Sequence, residues 1–265
     1  MVAGACRSVT KRRRPEIISA VRRTAARVAL TMTTVAALAT GCSTVLDQVA
    51  VTTGGGPVLA APAAVAEGDA AAALATLPVK GRAPKTGYDR DQFGQAWADV
   101  DRNGCDTRND ILKRDLESET FKPGTRDCVV LTGTLNDPYT GKTIAFKRGQ
   151  GTSEAVQIDH VIALSDAWQK GAQQLSPEAR KSLGNDPLNL MAVDGRTNQG
   201  KGDGDAATWL PPVRSYRCTY VARQVAVKAK YRLWVTQAEH DAIAGILAGC
   251  PSQPLPTDPT LPAPA

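Results

Sequence analysis

Ile158-Asp159-His160-Val161, then Asn189-Leu190-Met191, then Asn198-Gln199-Gly200-Lys201: these three short runs decide the reading of the chain. Ala155 to Val161 alternates apolar and polar residues, the period of a strand, and carries Asp159 and His160 to its end. Leu188 to Val193 predicts a second strand. Asp194-Gly195 then turns into a short helix bearing Asn198 and Lys201. Two strands and a helix, with an Asp-His pair on the first strand and an asparagine on the helix, form the layout of a ββα-metal site. A lone Asp-His pair is commonly structural. The two asparagines make this one a candidate site. The other histidine of the chain, His240, lies beside Asp241 on the exposed side of the last predicted helix and reads as surface.

Outward from this centre, the expected architecture is α+β, a ββα-metal core with flanking helices and a β-hairpin. Arg90 to Val100 has helical spacing, with Phe93, Ala96, Trp97 and Val100 on one side. Asn109 to Leu116 predicts a second helix. Cys128 to Leu135 and Thr143 to Phe146 form the hairpin, joined by the turn Asn136-Asp137-Pro138-Tyr139-Thr140-Gly141. Ala163 to Lys170 is helical. Ser176-Pro177-Glu178 starts another helix, with serine as N-cap and proline at the first position. Tyr220, Val221, Val225, Ala229 and Leu233 share a helical face, and Arg217, Arg223, Lys228, Lys230 and Arg232 are expected on the solvated side. Thr236 to Glu239 is a capping box for the last helix.

The ends differ from this middle. Residues 1–42 read as an export signal: a basic region to Arg27, an apolar segment from Val28 to Leu38 too short to span a bilayer, then Leu38-Ala39-Thr40-Gly41-Cys42. That last run is similar to a bacterial lipobox, in which Cys42 would carry the lipid and anchor the chain to the membrane. Ala39 departs from the usual leucine, and Ala37-Leu38-Ala39 is a competing cleavage site, so free secretion is the alternative. Residues 43–79 are Ala-, Gly- and Pro-rich and read as a disordered tether, residues 80–250 as the folded domain, and residues 251–265 as a Pro-rich tail. The formal charge of the chain is +6, but the leader alone holds eight basic residues and one acid, which leaves −1 for everything after it. Global charge therefore supplies no argument for nucleic-acid binding; only a local patch can.

Four cysteines lie beyond the leader and Cys42: Cys105, Cys128, Cys218 and Cys250. An even number in an exported chain predicts two disulfides with three possible connectivities, and proximity favours Cys105–Cys128 and Cys218–Cys250. The absence of any C-x-x-C pair argues against structural zinc.

Asp159-His160, Asn189 and Asn198-Gln199-Gly200-Lys201 resemble an HNH endonuclease motif in the form whose last histidine is asparagine. About residues 88–235 are similar to exported actinobacterial HNH proteins related to the C-terminal nuclease domain of Gmr-type modification-dependent restriction enzymes. Arg108-Asn109-Asp110, Asp137 to Gly141, Asn185 to Leu190 and Trp209-Leu210-Pro211-Pro212 carry the rest of the resemblance. It implies hydrolysis of DNA phosphodiester bonds. Oxygen ligands suit one Mg²⁺ or Mn²⁺ better than zinc, and the resemblance assigns the metal to the same two, Asp159 and Asn198. His160 is the expected general base. Asn189 takes a supporting role, orienting the loop or the base. Lys201, Arg196 and Arg108 are the expected phosphate contacts. No separate recognition module is evident, so little sequence preference is expected. The rivals are a non-catalytic surface-binding lipoprotein with the same fold, and a nuclease acting on RNA.

Overall fold

The computed structural model describes residues 69–256. The export signal, Cys42 and most of the expected tether lie outside the described residues. The packed chain nevertheless begins earlier than the expected boundary at residue 80. Asp69 caps helix α1 (Ala70–Thr76), its carboxylate accepting from the amides of Ala71 (2.8 Å) and Ala72 (3.1 Å). Ala70, Ala73 and Leu74 are buried against α6 (Arg217–Lys230) and α7 (Gln237–Leu247). A low-complexity sequence thus hides a short amphipathic helix that needs its partners to form. The start of the Pro-rich tail is also held: Ala70 donates to the Gln253 carbonyl at 3.1 Å, and Leu255 packs on the core.

The predicted helix over Arg90 to Val100 does not form. A single 3-10 turn, Arg90–Phe93, ends at Gly94 (φ 71°), and Trp97 sits at φ 59°. Asn185 explains the departure. Its amide accepts from Ala98 N at 2.9 Å and donates to Gln95 O at 3.2 Å, so this stretch bonds across to another element instead of to itself. The apolar residues that suggested a helix are used in another way, with Phe93 buried and Trp97 half-buried.

Helix α2 (Thr107–Asp115), capped by Asp106, runs into strand β1 (Leu116–Phe121). Strands β2 (Val130–Asn136) and β3 (Thr143–Lys147) complete an antiparallel sheet of order β1-β2-β3, so the predicted hairpin has a third strand. The second sheet is the pair β4 (Val156–His160) and β5 (Leu190–Asp194), antiparallel, with Asp159 opposite Met191 and His160 opposite Leu190. Helices α3 (Leu164–Gln169) and α4 (Pro177–Gly184) lie between these strands in the chain. Helix α5 (Gly195–Lys201) follows β5 without a loop, because Asp194 ends the strand and caps the helix at Thr197 N (2.8 Å). The strand–strand–helix unit read from the sequence is therefore present.

The basic side of α6 is only partly solvated: Lys230 and, just past the helix, Arg232 are exposed, whereas Arg223 and Lys228 are not. Arg223 is buried and donates to the carbonyls of Leu188 (2.7 Å), Pro187 (2.8 Å) and Leu190 (3.0 Å), clamping the entry to β5. Lys228 is fully buried and pairs with Glu239 at 3.0 Å. Lys170 meets Asp166, Asp205 and Glu239, each at 2.7 Å, while Arg82 adds bonds to Asp166 (2.9 Å) and Asp205 (2.7 Å). Three cations and three carboxylates thus tie α3, α6 and α7 together. Burying them is tolerable only because each finds opposite charge. The disulfides are Cys105–Cys128 and Cys218–Cys250, the pairing that proximity favoured. Loops of this size stabilise by about 3–4 kcal/mol each in the chain-entropy model.

Candidate active site

The end of β4 opens on a cleft of about 150 Å³ lined by Asp159, His160 and Asn198, with Arg90 at its edge. Each side chain arrives by a separate device. Asp159 is 4% exposed and is held from two directions. Lys201 Nζ donates to both of its oxygens, at 2.8 and 2.9 Å, and also to the His160 carbonyl at 2.6 Å. The Tyr139 hydroxyl donates to Oδ2 at 2.6 Å. Burial first, then the Asp159 charge, raises the pKa of Tyr139 well above its ordinary value, so the phenol stays a donor.

His160 is buried, and its Nε2 lies 2.9 Å from the Gly184 carbonyl. A carbonyl only accepts, so Nε2 carries the hydrogen and Nδ1 keeps the lone pair. The Trp97 ring stacks on the imidazole, centroids 6.2 Å apart and planes 22° apart. Burial lowers the His160 pKa to about 4 against the opposing Gly184 bond, with the Arg90 charge lowering it further. The ring is therefore neutral at pH 7 and able to accept a proton.

Asn198 donates through Nδ2 to Gln157 Oε1 at 3.0 Å, and its amide oxygen takes no hydrogen bond among the described residues. Gly195 lets α5 approach closely enough for this: a Cβ there would stand 2.0 Å from the Glu154 carbonyl oxygen. Asn189 is fully buried and acts on backbone. Its Oδ1 accepts from Ile162 N (2.8 Å) and its amide nitrogen lies 3.3 Å from Leu183 O. It braces the loop after β4 and does not line the cleft.

The expected phosphate contacts fare differently. Lys201 is 4% exposed and is consumed by Asp159, so the reading of it as a phosphate contact is corrected: its ammonium is the internal counter-ion of the carboxylate. Arg196 is exposed on α5 and does not line the cleft. Arg108 is half-buried in the first turn of α2, where desolvation and then Arg148 lower its pKa, and it too lies off the cleft. Two contributors escaped the sequence reading. Tyr139 looked like a turn residue of Asp137-Pro138-Tyr139-Thr140-Gly141. That turn is docked on the site, because Asp137 Oδ1 accepts from Asp194 N at 3.1 Å while Oδ2 accepts from Thr140 N at 2.9 Å. Helical spacing places Trp97 on an apolar helix face, and the irregular backbone instead turns it onto His160.

Among the described residues no group of three His, Cys, Asp or Glu side chains converges as a metal cage. The oxygen set of the cleft is sparser: one carboxylate and one amide. A hard, well-hydrated cation takes few protein oxygens, and one placed here would share the Asp159 carboxylate with the Lys201 ammonium.

These features define a small α+β domain with a polar cleft at the end of a strand–strand–helix unit. The chain belongs to the family described as the C-terminal domain of GmrSD restriction endonucleases, which matches residues 106–246. It is also 36% identical over 208 residues to a protein of Arthroderma benhamiae described as an uncharacterized secreted protein, covering 78% of this chain and 97% of that one. No solved structure matches the chain. The family match includes Asp159, His160, Asn189, Asn198 and Lys201. Arg90 and Trp97 precede it.

Proposed function

We propose that the protein is an exported, HNH-type endonuclease that hydrolyses phosphodiester bonds of DNA. One observation carries this reading: a buried His160 whose Nε2 is fixed on Gly184 O, beside Asp159 and Asn198 in one cleft. His160 Nδ1 takes the proton of an attacking water. The water oxygen forms a new bond to phosphorus as the bond to the leaving sugar oxygen breaks, and that oxygen is protonated from solvent. Asp159 and the Asn198 amide oxygen would hold one Mg²⁺ or Mn²⁺, which when bound neutralises charge on the phosphate and the leaving oxygen. Lys201 and Tyr139 fix the Asp159 carboxylate, and Lys201 also fixes the His160 main chain. Trp97 holds the imidazole plane. Asn189 fixes the loop that follows it.

Export is supported by the two disulfides, by the leader-like N-terminal sequence and by the description of the fungal relative as secreted. Cleavage of plasmid DNA, single-stranded DNA and structured RNA by the purified protein, with Mg²⁺, Mn²⁺ or a chelator, tests the reading. DNA should be cut in either metal and left intact in the chelator. Preferential cleavage of RNA would move the substrate, and inert protein in all arms would remove the activity.

A further inference from the structure

With Lys201 consumed by Asp159, the cleft needs another cation if it is to hold an anionic phosphate. Among the described residues Arg90 is the one Lys or Arg side chain that lines it together with Asp159, His160 and Asn198. Arg90 is exposed and makes no hydrogen bond or ion pair among the described residues. By contrast, Arg82, Arg114, Arg148, Arg180 and Arg223 all bond to protein oxygens. Its base is well anchored. Asp89 caps the 3-10 turn through Asp91 N at 2.9 Å. Phe93 is buried in an edge-to-face cluster with Tyr88 and Trp168. Arg180 Nε donates to the Gln92 carbonyl at 2.9 Å. The turn is thus fixed while its first side chain is left free.

We infer that Arg90 is the phosphate-binding residue of this cleft, its guanidinium engaging non-bridging oxygens of a nucleic-acid phosphodiester beside His160. A planar guanidinium matches two phosphate oxygens at once, and a charge-assisted pair of this kind is among the stronger polar contacts. The cation is local and placed at the reacting group, so engagement of a polyanion does not rest on the net charge of the chain, which is −1 after its leader. The inference rests on the phosphodiester reading of the site but concerns a residue outside the region that the family match covers.

The test compares wild type, Arg90→Ala and Arg90→Lys. Binding of a short fluorescein-labelled DNA duplex is measured in chelator, where no turnover occurs, across a salt series. Cleavage is measured with Mg²⁺ or Mn²⁺, and melting temperature is recorded for all three. Arg90→Ala should weaken binding and kcat/KM by about 10- to 100-fold. The slope of log affinity against log salt should become shallower by about 1, as expected for one lost phosphate contact. Arg90→Lys should recover part of the loss, and the melting temperature should not move. Unchanged binding and cleavage in Arg90→Ala overturns the inference, as does a loss that lysine does not relieve and that follows a fall in melting temperature. A wild type that binds DNA through Arg90 but never cleaves sinks the hydrolysis reading and leaves the phosphate contact standing. A wild type that neither binds nor cleaves removes both.

Discussion

His160 Nε2 and the Gly184 carbonyl oxygen are 2.9 Å apart, and this bond sets the tautomer on which the site depends. It comes from the C-terminal end of α4, a helix that contributes no side chain to the cleft. The strand offers the histidine, and a carbonyl from another element decides which nitrogen is basic.

The Trp97 stack makes a second demand on the same ring. Trp97→Ala should lower kcat by about 10-fold while Trp97→Phe retains most activity, since a flat apolar face is what the imidazole needs. The positive φ of Trp97 is an uncommon conformation for a bulky residue, and the flanking backbone is held by Asn185 and by the Thr107 hydroxyl on Ala98 O. Equal kcat in all three proteins would show that the stack does not position the base.

Lys201 and Asp159 form a buried pair, and removing one partner leaves the other charged and unpaired. Lys201→Ala should destabilise the protein by about 3–5 kcal/mol in denaturant unfolding and abolish activity. Had Lys201 been a phosphate contact, the same substitution would raise KM with little effect on stability. A full-strength fold in Lys201→Ala contradicts the internal pairing.

Gly195 makes the closest backbone approach in the site. Gly195→Ala must push α5 away from the Glu154 carbonyl, and should cost about 1–3 kcal/mol or more and impair cleavage, although the glycine touches no substrate. An alanine variant with wild-type stability and rate would show that α5 seats without this contact.

The buried ion cluster predicts an acid limit. Burial alone would raise the pKa of Asp205, but Lys170 and Arg82 outweigh it and hold it at about 2, below the ordinary 3.8. A depressed carboxylate stabilises fully above its unfolded pKa, and that contribution is lost as pH falls through the folded one. About 2 kcal/mol should therefore disappear between pH 4 and pH 2 in wild type. In Asp205→Asn the same interval should show a shallower fall, and parallel curves would contradict the assignment.

Much of the site was legible because its elements obey local rules. The alternation around Asp159, the Ser176-Pro177 start and the Thr236 capping box each encode structure within a few residues. What escaped depends on partners distant in the chain. Arg90 to Val100 carries helical spacing, but Asn185, 87 residues from Ala98, takes its backbone bonds. Arg223 and Lys228 look like a solvated face until Leu188 and Glu239 are placed beside them. Lys201 reads as a phosphate ligand because sequence shows its charge and not its buried counter-ion. The Ala-rich Asp69 to Leu77 lacks the length to be helical alone and takes its order from α6 and α7.

The most direct test of the account is cleavage of plasmid DNA by wild type and His160→Ala in Mg²⁺ or Mn²⁺, with circular dichroism confirming that both are folded. Wild type should nick and linearise the plasmid, and the variant should be slower by about 10²- to 10⁴-fold. A folded His160→Ala protein that cleaves at the wild-type rate would contradict the assignment of His160 as the base.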